Sequence, residues 1–355
     1  MKILMLVNWK IEYCDTKPAD KQSPDYKVKG EDYWFYRYFN DKPEVDVVDI
    51  SSCPWLENFE RNKMHFYIWQ AIKAIPKLNQ CDLIVSHGMP SAVVICLWRR
   101  FFKTKAKHVV FDIGSFASAS ETGFALKLMQ FASKSIDGLI YHTSWQKKYY
   151  EKYFSWIVNM SRFIPFGTDL EYFHSSIKET VKKNIIICIG KNLTDWETLV
   201  NSYNKSKCNY DLYLIGGYDR RFEGYSNIHM IPRISIDELN EYINRAQFCV
   251  LPLEKVRFSF GQMRLLQQMA MEKCVIASNI YSLQDYIIDG ITGVLYEPKD
   301  EDGLCDIINS LSEDIKKIEK IGKAAFNVCM KYFDEKDMAI SIENYYKEVL
   351  RSENK

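Results

Sequence analysis

Residues 259–278 read SFGQMRLLQQMAMEKCVIAS, and three structural signals follow one another in this stretch. Gly261 indicates a turn, and Met263, Leu266 and Ala270 recur at the spacing of one helix face. The CVIAS segment then has the apolar, β-branched composition of a short buried strand. A turn, an amphipathic helix and a buried strand in this order are typical of a parallel α/β sheet.

The same alternation runs through the whole chain. Strand-like apolar segments form two series, at 2–7, 45–50, 82–86, 108–112 and 138–142, and then at 185–189, 211–215, 227–231, 247–252, 274–278 and 293–296. Helical periodicity separates them, for example at 64–75, 91–102 and 121–134. Ser235 and Glu238 form a predicted capping box at one helix start.

Two series predict an α/β protein with two Rossmann-like domains whose parallel sheets face a central crevice. We place an N-terminal domain at 1–170 and a C-terminal domain at 171–335, joined within 166–180. A helix in 336–355 is expected to return to the N-terminal domain.

Composition limits the class of protein. The chain has 355 residues, with 47 basic and 46 acidic side chains and a net charge of +1, whereas general nucleic-acid binders are usually more basic. The ten cysteines include no CxxC pair, and Cys188 and Cys249 lie in apolar strand-like runs, which indicates buried thiols and a reducing compartment. KILMLV at 2–7 is too short for a signal peptide, and no apolar run approaches the roughly 20 residues of a membrane span. We therefore expect a cytoplasmic protein, either free or peripherally attached to the inner face of the membrane.

Glycine turns follow several strands of the second series. Gly190, Gly216 and Gly261 all precede helical segments, so their backbone N–H groups could bind phosphate. Each alone is equally an ordinary strand-to-helix turn, but several at one sheet edge favour a nucleotide site.

Five segments, taken in order, resemble the family-four retaining glycosyltransferases, which have the GT-B fold. They are GLIYHTSWQKKYY (138–150), IPFGTDLEYF (164–173), IGKNLTDWETL (189–199), VLPLEKVRFSFGQMRLLQQMAMEKCVIASN (250–279) and LQDYIIDGITGVLYEP (283–298). The resemblance covers roughly 135–300, and its order is more specific than any single segment. It implies a donor that is a nucleotide diphosphate sugar. It also implies that the C-terminal domain at 171–335 binds this nucleotide sugar and that the N-terminal domain at 1–170 lies on the acceptor side.

The resemblance also implies a donor site, with two departures. The family's two motif glutamates correspond to Ser259 and Gln267, and Ser259-Phe260-Gly261-Gln262 resembles a Ser-x-Gly-Gln variant of the motif. Gln267 would bind the ribose hydroxyls through its amide, and Ser259 would reach the sugar weakly. Backbone N–H groups from Gly261 to Met263 would hold the diphosphate.

The expected basic pair for the diphosphate is reduced to Lys191, beside Gly190. Thr194 and Asp195 lie near the place where a second base is often found. For Arg264, on the predicted helix, a structural or surface role is favoured, and a role as a phosphate ligand is the alternative.

Three residues are candidates for catalysis. Lys191 would offset charge on the leaving diphosphate, although a solvated loop lysine is the alternative. Asp112 at the end of HVVFD would orient the acceptor or stabilise positive charge on the sugar, or it caps a turn. His87 in SHGMP lies at a strand end facing the crevice, where a structural histidine is equally compatible with the sequence.

The segment WRRFFKTKAK (98–107) mixes aromatic and basic side chains. Such a mixture suits an anionic membrane surface, and the end of a core helix followed by a basic loop is the alternative. The proposed membrane residues are Trp98, Arg99, Arg100, Phe101, Phe102 and Lys103.

The sequence thus predicts a retaining hexosyltransferase-like enzyme acting on a carbohydrate or lipid-linked acceptor, as in glycan or polysaccharide biosynthesis. We expect no metal, no cofactor, no nucleic-acid partner and no covalent glycosyl-enzyme. A sugar-nucleotide epimerase on the same fold is one alternative. A non-catalytic subunit that binds a nucleotide sugar or a partner enzyme is another, and the absence of both motif glutamates favours it.

Overall fold

Two parallel six-stranded sheets organise the molecule, as the two strand series predict. The structure is a computed structural model that describes residues 1–18, 20–114, 116, 121–175 and 184–352. The first sheet has the order β4-β1-β5-β6-β7-β8, and the second has the order β11-β10-β9-β12-β13-β14. Every strand pair in both sheets is parallel.

The strands are short and mostly buried. Their bounds are β1 Lys2–Leu6, β2 Glu12–Cys14, β3 Tyr26–Val28, β4 Glu44–Val48, β5 Leu83–His87, β6 Lys107–Asp112, β7 Gly138–Tyr141, β8 Ser161–Phe163, β9 Ile185–Ile189, β10 Asp211–Ile215, β11 Ile228–Ile231, β12 Phe248–Leu251, β13 Val275–Ser278 and β14 Val294–Tyr296. Strands β2 and β3 pair with each other outside the main sheets.

Helices connect the strands on both faces of each sheet. The described α-helices are α1 Pro54–Phe59, α2 Ile68–Ala74, α3 Met89–Phe101, α4 Phe124–Ser133, α5 Trp145–Tyr153, α6 Ser155–Val158, α7 Leu170–Ser175, α8 Trp196–Lys205, α9 Ile236–Arg245, α10 Gln262–Ala270, α11 Glu301–Glu313, α12 Ile315–Tyr332 and α13 Glu335–Arg351. Short 3₁₀ turns lie at Trp34–Tyr38, Ile75–Lys77 and Arg220–Phe222, and a π turn at Glu60–Met64. None of the helices within the described ranges is long and apolar enough to cross a bilayer.

Helix α13 belongs to the core of the first domain. Met338, Ile342 and Tyr346 are buried among Ile3 and Phe35 in that core. Because α13 follows the whole second domain in the chain, the polypeptide passes from the first domain to the second and back. Residues 176–180 of the predicted join and 353–355 of the predicted last segment lie outside the described residues.

The predicted helix at 64–75 is interrupted. A π turn ends at Met64, His65 has a left-handed φ of 59°, and α2 begins only at Ile68. The predicted capping box is confirmed, because the Ser235 hydroxyl accepts from the Glu238 N–H and the Glu238 carboxylate accepts from the Ser235 N–H.

Candidate functional site

A cleft separates the carboxyl ends of the two sheets, and the two sides touch at its rim. The Ser259 N–H donates to the Ile113 carbonyl 3.1 Å away. Phe258 lies so close to Gly114 that a Cβ there would meet the Phe258 Cβ at 1.9 Å. The loop before α10 is therefore packed against the turn that follows β6.

Two adjoining pockets form the cleft floor and share Lys21, Gln22 and Ile236. The first pocket extends toward residues 166–169, where the two domains join, and Gln267 lines it. The second lies over the strand ends of the second sheet, and its charged lining residues are Asp20, Lys21, Asp25, Lys191, Arg233 and Arg264. Four cations against two acids make this second pocket attractive to an anion.

Glycine turns bring backbone close to the second pocket. Gly190 has φ 90° and Gly216 has φ 112°, conformations that L side chains rarely adopt. A Cβ on Gly216 would lie 3.2 Å from the Gly190 Cα, so the two turns pack against each other. Both line the pocket, as the glycine pattern predicts.

Lys191 lies at the exposed rim of this pocket. Its Nζ donates to the Tyr218 carbonyl, and its aliphatic chain runs over Gly217, where a Cβ would meet the Lys191 Cδ at 2.5 Å. One of the three N–H donors of this ammonium group is therefore used within the protein.

Arg264 lies deeper than Lys191 and lines the second pocket. Its guanidinium carbon is 2.3 Å from where a Gly190 Cβ would stand, and its Nη1 donates to the Thr194 hydroxyl at 3.1 Å. The guanidinium carbon also lies 5.2 Å from the Phe260 ring centroid. Burial lowers the pKa of the Arg264 side chain, and no carboxylate in the described chain pairs with it.

The start of α10 is organised by its own side chains. Gly261, with φ 92°, precedes the helix. The Gln262 Nε2 donates to the Ser259 Oγ at 2.8 Å and to the Ser282 carbonyl at 2.9 Å. Gln262 therefore holds the Ser259 loop in place. Met263, the second residue of α10, is partly buried and lies against the N-terminal domain.

Gln267 is 4% exposed and faces the first pocket. Its Nε2 donates to the Gln22 Oε1 at 3.0 Å, and the Gln22 amide approaches the Met263 sulfur at 3.4 Å. The segment between β2 and β3 thus reaches across the cleft to α10. A ribose bound to Gln267 would have to replace or share the contact with Gln22.

On the first-domain side of the cleft, His87 is buried among aromatic rings. Its ring centroid lies 4.7 Å from that of Trp9 and 5.8 Å from that of Trp34. Burial, and then the nearby His142, lowers the pKa of His87 to about 3, so the ring is neutral at physiological pH. Its buried Nδ1 has no hydrogen-bond partner in the described chain.

Asp112 does not reach the cleft in this conformation. The residue is 0% exposed, and its carboxylate accepts from the Tyr150 hydroxyl at 2.6 Å and from the Gly114 N–H at 2.7 Å. Burial raises the pKa of this carboxyl, against the lowering effect of those hydrogen bonds. Of the two roles open from the sequence, the geometry fits the turn cap and not contact with a substrate.

The predicted membrane segment is split by the fold. Phe101 is 74% and Phe102 is 52% exposed, and Arg100 and Lys103 are also exposed. Trp98 is half-buried and stacks on Phe102, with ring centroids 4.1 Å apart.

Arg99, in contrast, makes hydrogen bonds within the first domain. It donates to the Ser135 carbonyl at 2.5 Å, the Ala106 carbonyl at 3.1 Å and the Asp137 carboxylate at 2.9 Å. The prediction that Arg99 faces a membrane is wrong, because these bonds hold it inside the domain.

Solved structures of other proteins have the same architecture. The chain has the GT-B fold, since it aligns over 98% of its length with 99% of sucrose-phosphate synthase from Thermosynechococcus elongatus, with a TM-score of 0.70 and 19% identity. It also aligns over 98% of its length with all of HepE from Anabaena, in complex with UDP and glucose, with a TM-score of 0.71 and 14% identity. A glycosyltransferase from Rickettsia africae aligns over 87% of this chain and 91% of its own, with a TM-score of 0.67 and 17% identity.

At these identities the solved structures show the fold alone. In sequence, residues 176–314 match the family model for glycosyl transferases group 1, which covers most of the second domain. No curated protein sequence matches the chain. The family match and the fold together support a protein of the glycosyltransferase type.

Sequence reasoning missed one part of the cleft and gave too little weight to Arg264 as another part of it. The Lys21–Gln22 segment carries no motif, and its position depends on long-range packing. Arg264 had a signal, because it is the single charged residue in Gln262–Ala270, a helix that is otherwise almost entirely buried. A lone charge in such a helix has to find a polar environment, and here it finds the cleft.

Proposed function

We propose that this protein is a glycosyltransferase that moves a sugar from a nucleotide diphosphate sugar to an acceptor hydroxyl, with retention of the anomeric configuration. The observation that carries the proposal is the convergence of the Gly190 and Gly216 turns and four cations on one pocket; the cations are Lys21, Lys191, Arg233 and Arg264. The second domain is the part matched by the glycosyl transferases group 1 model. The retaining outcome rests on the family resemblance.

The diphosphate belongs at the Gly190 turn and the start of α10. The first turn of a helix has N–H groups without intrahelical partners, and the helix dipole favours an anion there. Lys191 at the rim would exchange the Tyr218 carbonyl for the phosphate oxygens. The ribose belongs beside Gln267, whose amide can both donate to and accept from hydroxyl groups.

The reaction needs little proton transfer by the protein. As the bond from the sugar carbon to the phosphate oxygen breaks, negative charge grows on the diphosphate, and fixed cations and N–H groups stabilise it. The acceptor hydroxyl attacks from the same face and gives its proton to the departing phosphate oxygen. In this scheme no glycosyl-enzyme forms and no metal or cofactor takes part.

The acceptor belongs on the first domain, near His87. A neutral imidazole among Trp9 and Trp34 offers a hydrogen bond beside apolar ring faces, which suits a carbohydrate. The exposed Phe101, Phe102 and neighbouring cations favour a lipid-linked acceptor at an anionic membrane surface, as in polysaccharide biosynthesis.

Thermal shift against a panel of nucleotide sugars tests donor binding. HepE has been solved with UDP and with UDP-glucose, so uridine donors come first, followed by GDP and ADP sugars. A bound donor raises the unfolding midpoint by mass action. The donor that shifts the midpoint is then incubated without acceptor, and slow release of its nucleotide supports a transferase. The proposal fails if no donor in the panel stabilises the protein.

A non-catalytic donor-binding or partner subunit is the second candidate. The observation that favours it is that Gln267 is engaged by Gln22 and Ser259 by Gln262. Such a subunit would bind the nucleotide sugar but release no nucleotide from it over long incubation.

A further inference from the structure

The second pocket contains a partly buried cation, Arg264, that makes no ion pair within the described chain. Arg264 projects from α10 into the space over Gly190, and its guanidinium meets the Thr194 hydroxyl and the Phe260 ring. Arg37, in the first pocket, differs, since it pairs with Asp169 at 2.6 Å and with Glu335 at 2.7 Å. Arg264 has no ion pair with any residue of the described chain.

Such an arrangement costs stability in the empty protein. A partly desolvated charge without a counter-ion is unfavourable, and one hydroxyl partner and one ring face offset this only in part. The guanidinium has five N–H donors, of which one hydrogen bond is made to the protein side chains. The remaining donors suit a ligand with several anionic oxygens.

The Gly190 turn leaves room for the Arg264 side chain because glycine has no Cβ. A Cβ on Gly190 would stand 2.5 Å from Nη1 and 2.6 Å from Nη2 of Arg264, so any other residue there would displace the guanidinium. The position is also where the sequence leads one to expect a second phosphate-binding base, near Thr194. The base is absent from that loop, and a cation arrives there from α10 instead.

We propose that Arg264 is a catalytic residue that binds the diphosphate of the donor as its second cation, paired with Lys191. The inference rests on the proposed function and deepens it. Arg264 is fixed in the pocket before the donor arrives, whereas Lys191 has to leave the Tyr218 carbonyl. Arg264 therefore supplies preorganised charge, and Lys191 completes the site on binding.

The step it assists is balanced as follows. The sugar C1–O bond to the β-phosphate breaks, and its electron pair stays on the β-phosphate oxygen. The acceptor oxygen forms the new bond to C1, and its proton passes to that phosphate oxygen. The guanidinium holds the phosphate oxygens by charge-assisted hydrogen bonds, which strengthen as charge grows.

Arg264→Gln tests the assignment, because glutamine keeps a polar, helix-compatible side chain without the charge. Binding of UDP, GDP and ADP, of the matching nucleosides and of inorganic pyrophosphate would be measured by calorimetry. We expect affinity for the diphosphate that binds to fall about ten- to a hundredfold, as for the loss of hydrogen bonds to a charged group. Affinity for its nucleoside should change less than about threefold, and pyrophosphate binding should be lost.

Two further variants separate ligand binding from folding. Arg264→Lys keeps the charge and should retain part of the diphosphate affinity. Arg221→Gln is the matched control, because Arg221 is an exposed arginine of the same domain paired with Glu197 and Asp219. It should leave diphosphate affinity unchanged. The unfolding midpoint of ligand-free Arg264→Gln should equal or exceed that of the wild type, since an unpaired and partly desolvated charge is removed.

Equal losses for the diphosphate and the nucleoside, or unchanged diphosphate affinity, would overturn the role of Arg264 while leaving the proposed function standing. A lower midpoint of ligand-free Arg264→Gln with unchanged diphosphate affinity would show a structural arginine. If wild-type protein binds pyrophosphate but none of the three nucleoside diphosphates, the donor-binding role and the proposed function both fail.

Discussion

Position 267 carries an amide where the family resemblance leads one to expect a carboxylate. A carboxylate accepts hydrogen bonds from two ribose hydroxyls, whereas an amide accepts from one and donates to the other. The amide also needs no counter-charge in a site that is 4% exposed. Its partner in the structure is Gln22, another amide, so the contact across the cleft is neutral.

Gln267→Ala should weaken donor binding about three- to a hundredfold, because one or two hydrogen bonds worth about 0.5–1.5 kcal/mol each are lost. Gln267→Glu should keep or raise activity, since the carboxylate accepts from both hydroxyls. Calorimetric donor titration and steady-state kinetics measure both effects. Gln284→Ala, at an exposed glutamine of the same domain, is the control and should behave as wild type. Unchanged donor affinity in Gln267→Ala would show that the ribose lies elsewhere.

Lys191→Ala should lower turnover more than donor affinity. Without a bound sugar donor, the Lys191 ammonium group donates to the Tyr218 carbonyl. Part of its attraction to the diphosphate is therefore realised only as charge develops on the leaving group. We expect kcat to fall on the order of tenfold or more, with a smaller change in KM. Lys205→Ala, which removes a lysine paired with Glu301 and Asp302, serves as control. A rise in KM alone would place Lys191 in ground-state binding.

Elements were predictable where they depend on local composition. The strands Ile185–Ile189 and Asp211–Ile215 lie where their apolar runs predict, because a run of buried apolar residues suits a strand covered on both faces. The break at His65 was missed, since helical periodicity continues across it. Strands β2 and β3 were missed because Glu12–Cys14 and Tyr26–Val28 have no apolar alternation.

The candidate site was predictable only in part, because a local sequence pattern does not determine which distant residues a side chain contacts. Gly190, Lys191 and Gln267 carry a local pattern and line the cleft. Asp112 carries the same kind of strand-end pattern, but the Tyr150 hydroxyl and the Gly114 N–H satisfy it inside the domain. Whether a strand-end polar group faces substrate or caps a turn depends on neighbours from distant segments.

The end of α3 carries the proposed membrane contact. Phe101 and Phe102 are exposed, and the Arg100 guanidinium lies 4.9 Å from the ring of Phe131, which is itself 41% exposed. An amphipathic edge of this kind binds anionic lipid through both apolar burial and charge. Salt should weaken the attachment, because the charge component is screened.

Changing Arg100 and Lys103 to Glu should reduce sedimentation with vesicles that contain phosphatidylserine. Each cation near such a surface contributes about 1 kcal/mol, so the double change should lower partitioning at least tenfold. Phe101→Ser with Phe102→Ser should reduce it at any salt concentration. Lys320→Glu with Lys323→Glu, exposed on α12 of the other domain, matches the charge change. If both pairs have equal effects, net charge and not this edge explains the binding.

At the scale of the whole molecule, one cluster lies where the chain leaves the first domain and returns to it. Arg37 of the first domain bonds Asp169 after the last strand of the first sheet and Glu335 at the start of α13. The Glu335 carboxylate also accepts from the Trp34 indole N–H at 3.0 Å. Burial raises the pKa of Glu335 from 4.5 to about 7, although Arg37 opposes the shift.

This shift predicts a pH dependence. Since the folded protein binds this proton more tightly than the unfolded chain, the stability that Glu335 contributes is full below pH 4.5 and is lost as pH rises to about 7. The slope is at most about 1.4 kcal/mol per pH unit. Urea unfolding should therefore show a smaller loss of stability between pH 5 and pH 8 in Glu335→Gln than in the wild type.

Glu343→Gln, on the same helix, provides a control of opposite sign. Burial raises the pKa of Glu343, but Lys347 and the Asn40 and Asp41 N–H groups together leave it lowered. Its contribution to stability is lost as pH falls, so this variant should lose less stability than the wild type on acidification. Parallel pH profiles in the two variants would contradict both assignments.

The route of the chain through α13 has a consequence for its synthesis. The helix that fills the core around Phe35 and Tyr36 is translated after the entire second domain. At about 5–20 residues per second, roughly ten to thirty seconds separate residue 170 from residue 335 on the ribosome. During that interval the nascent first domain exposes the apolar surface that Ile342 and Tyr346 later cover. Ribosomes stalled near residue 330 should therefore carry a chain that holdase chaperones bind, and release should follow once α13 has emerged.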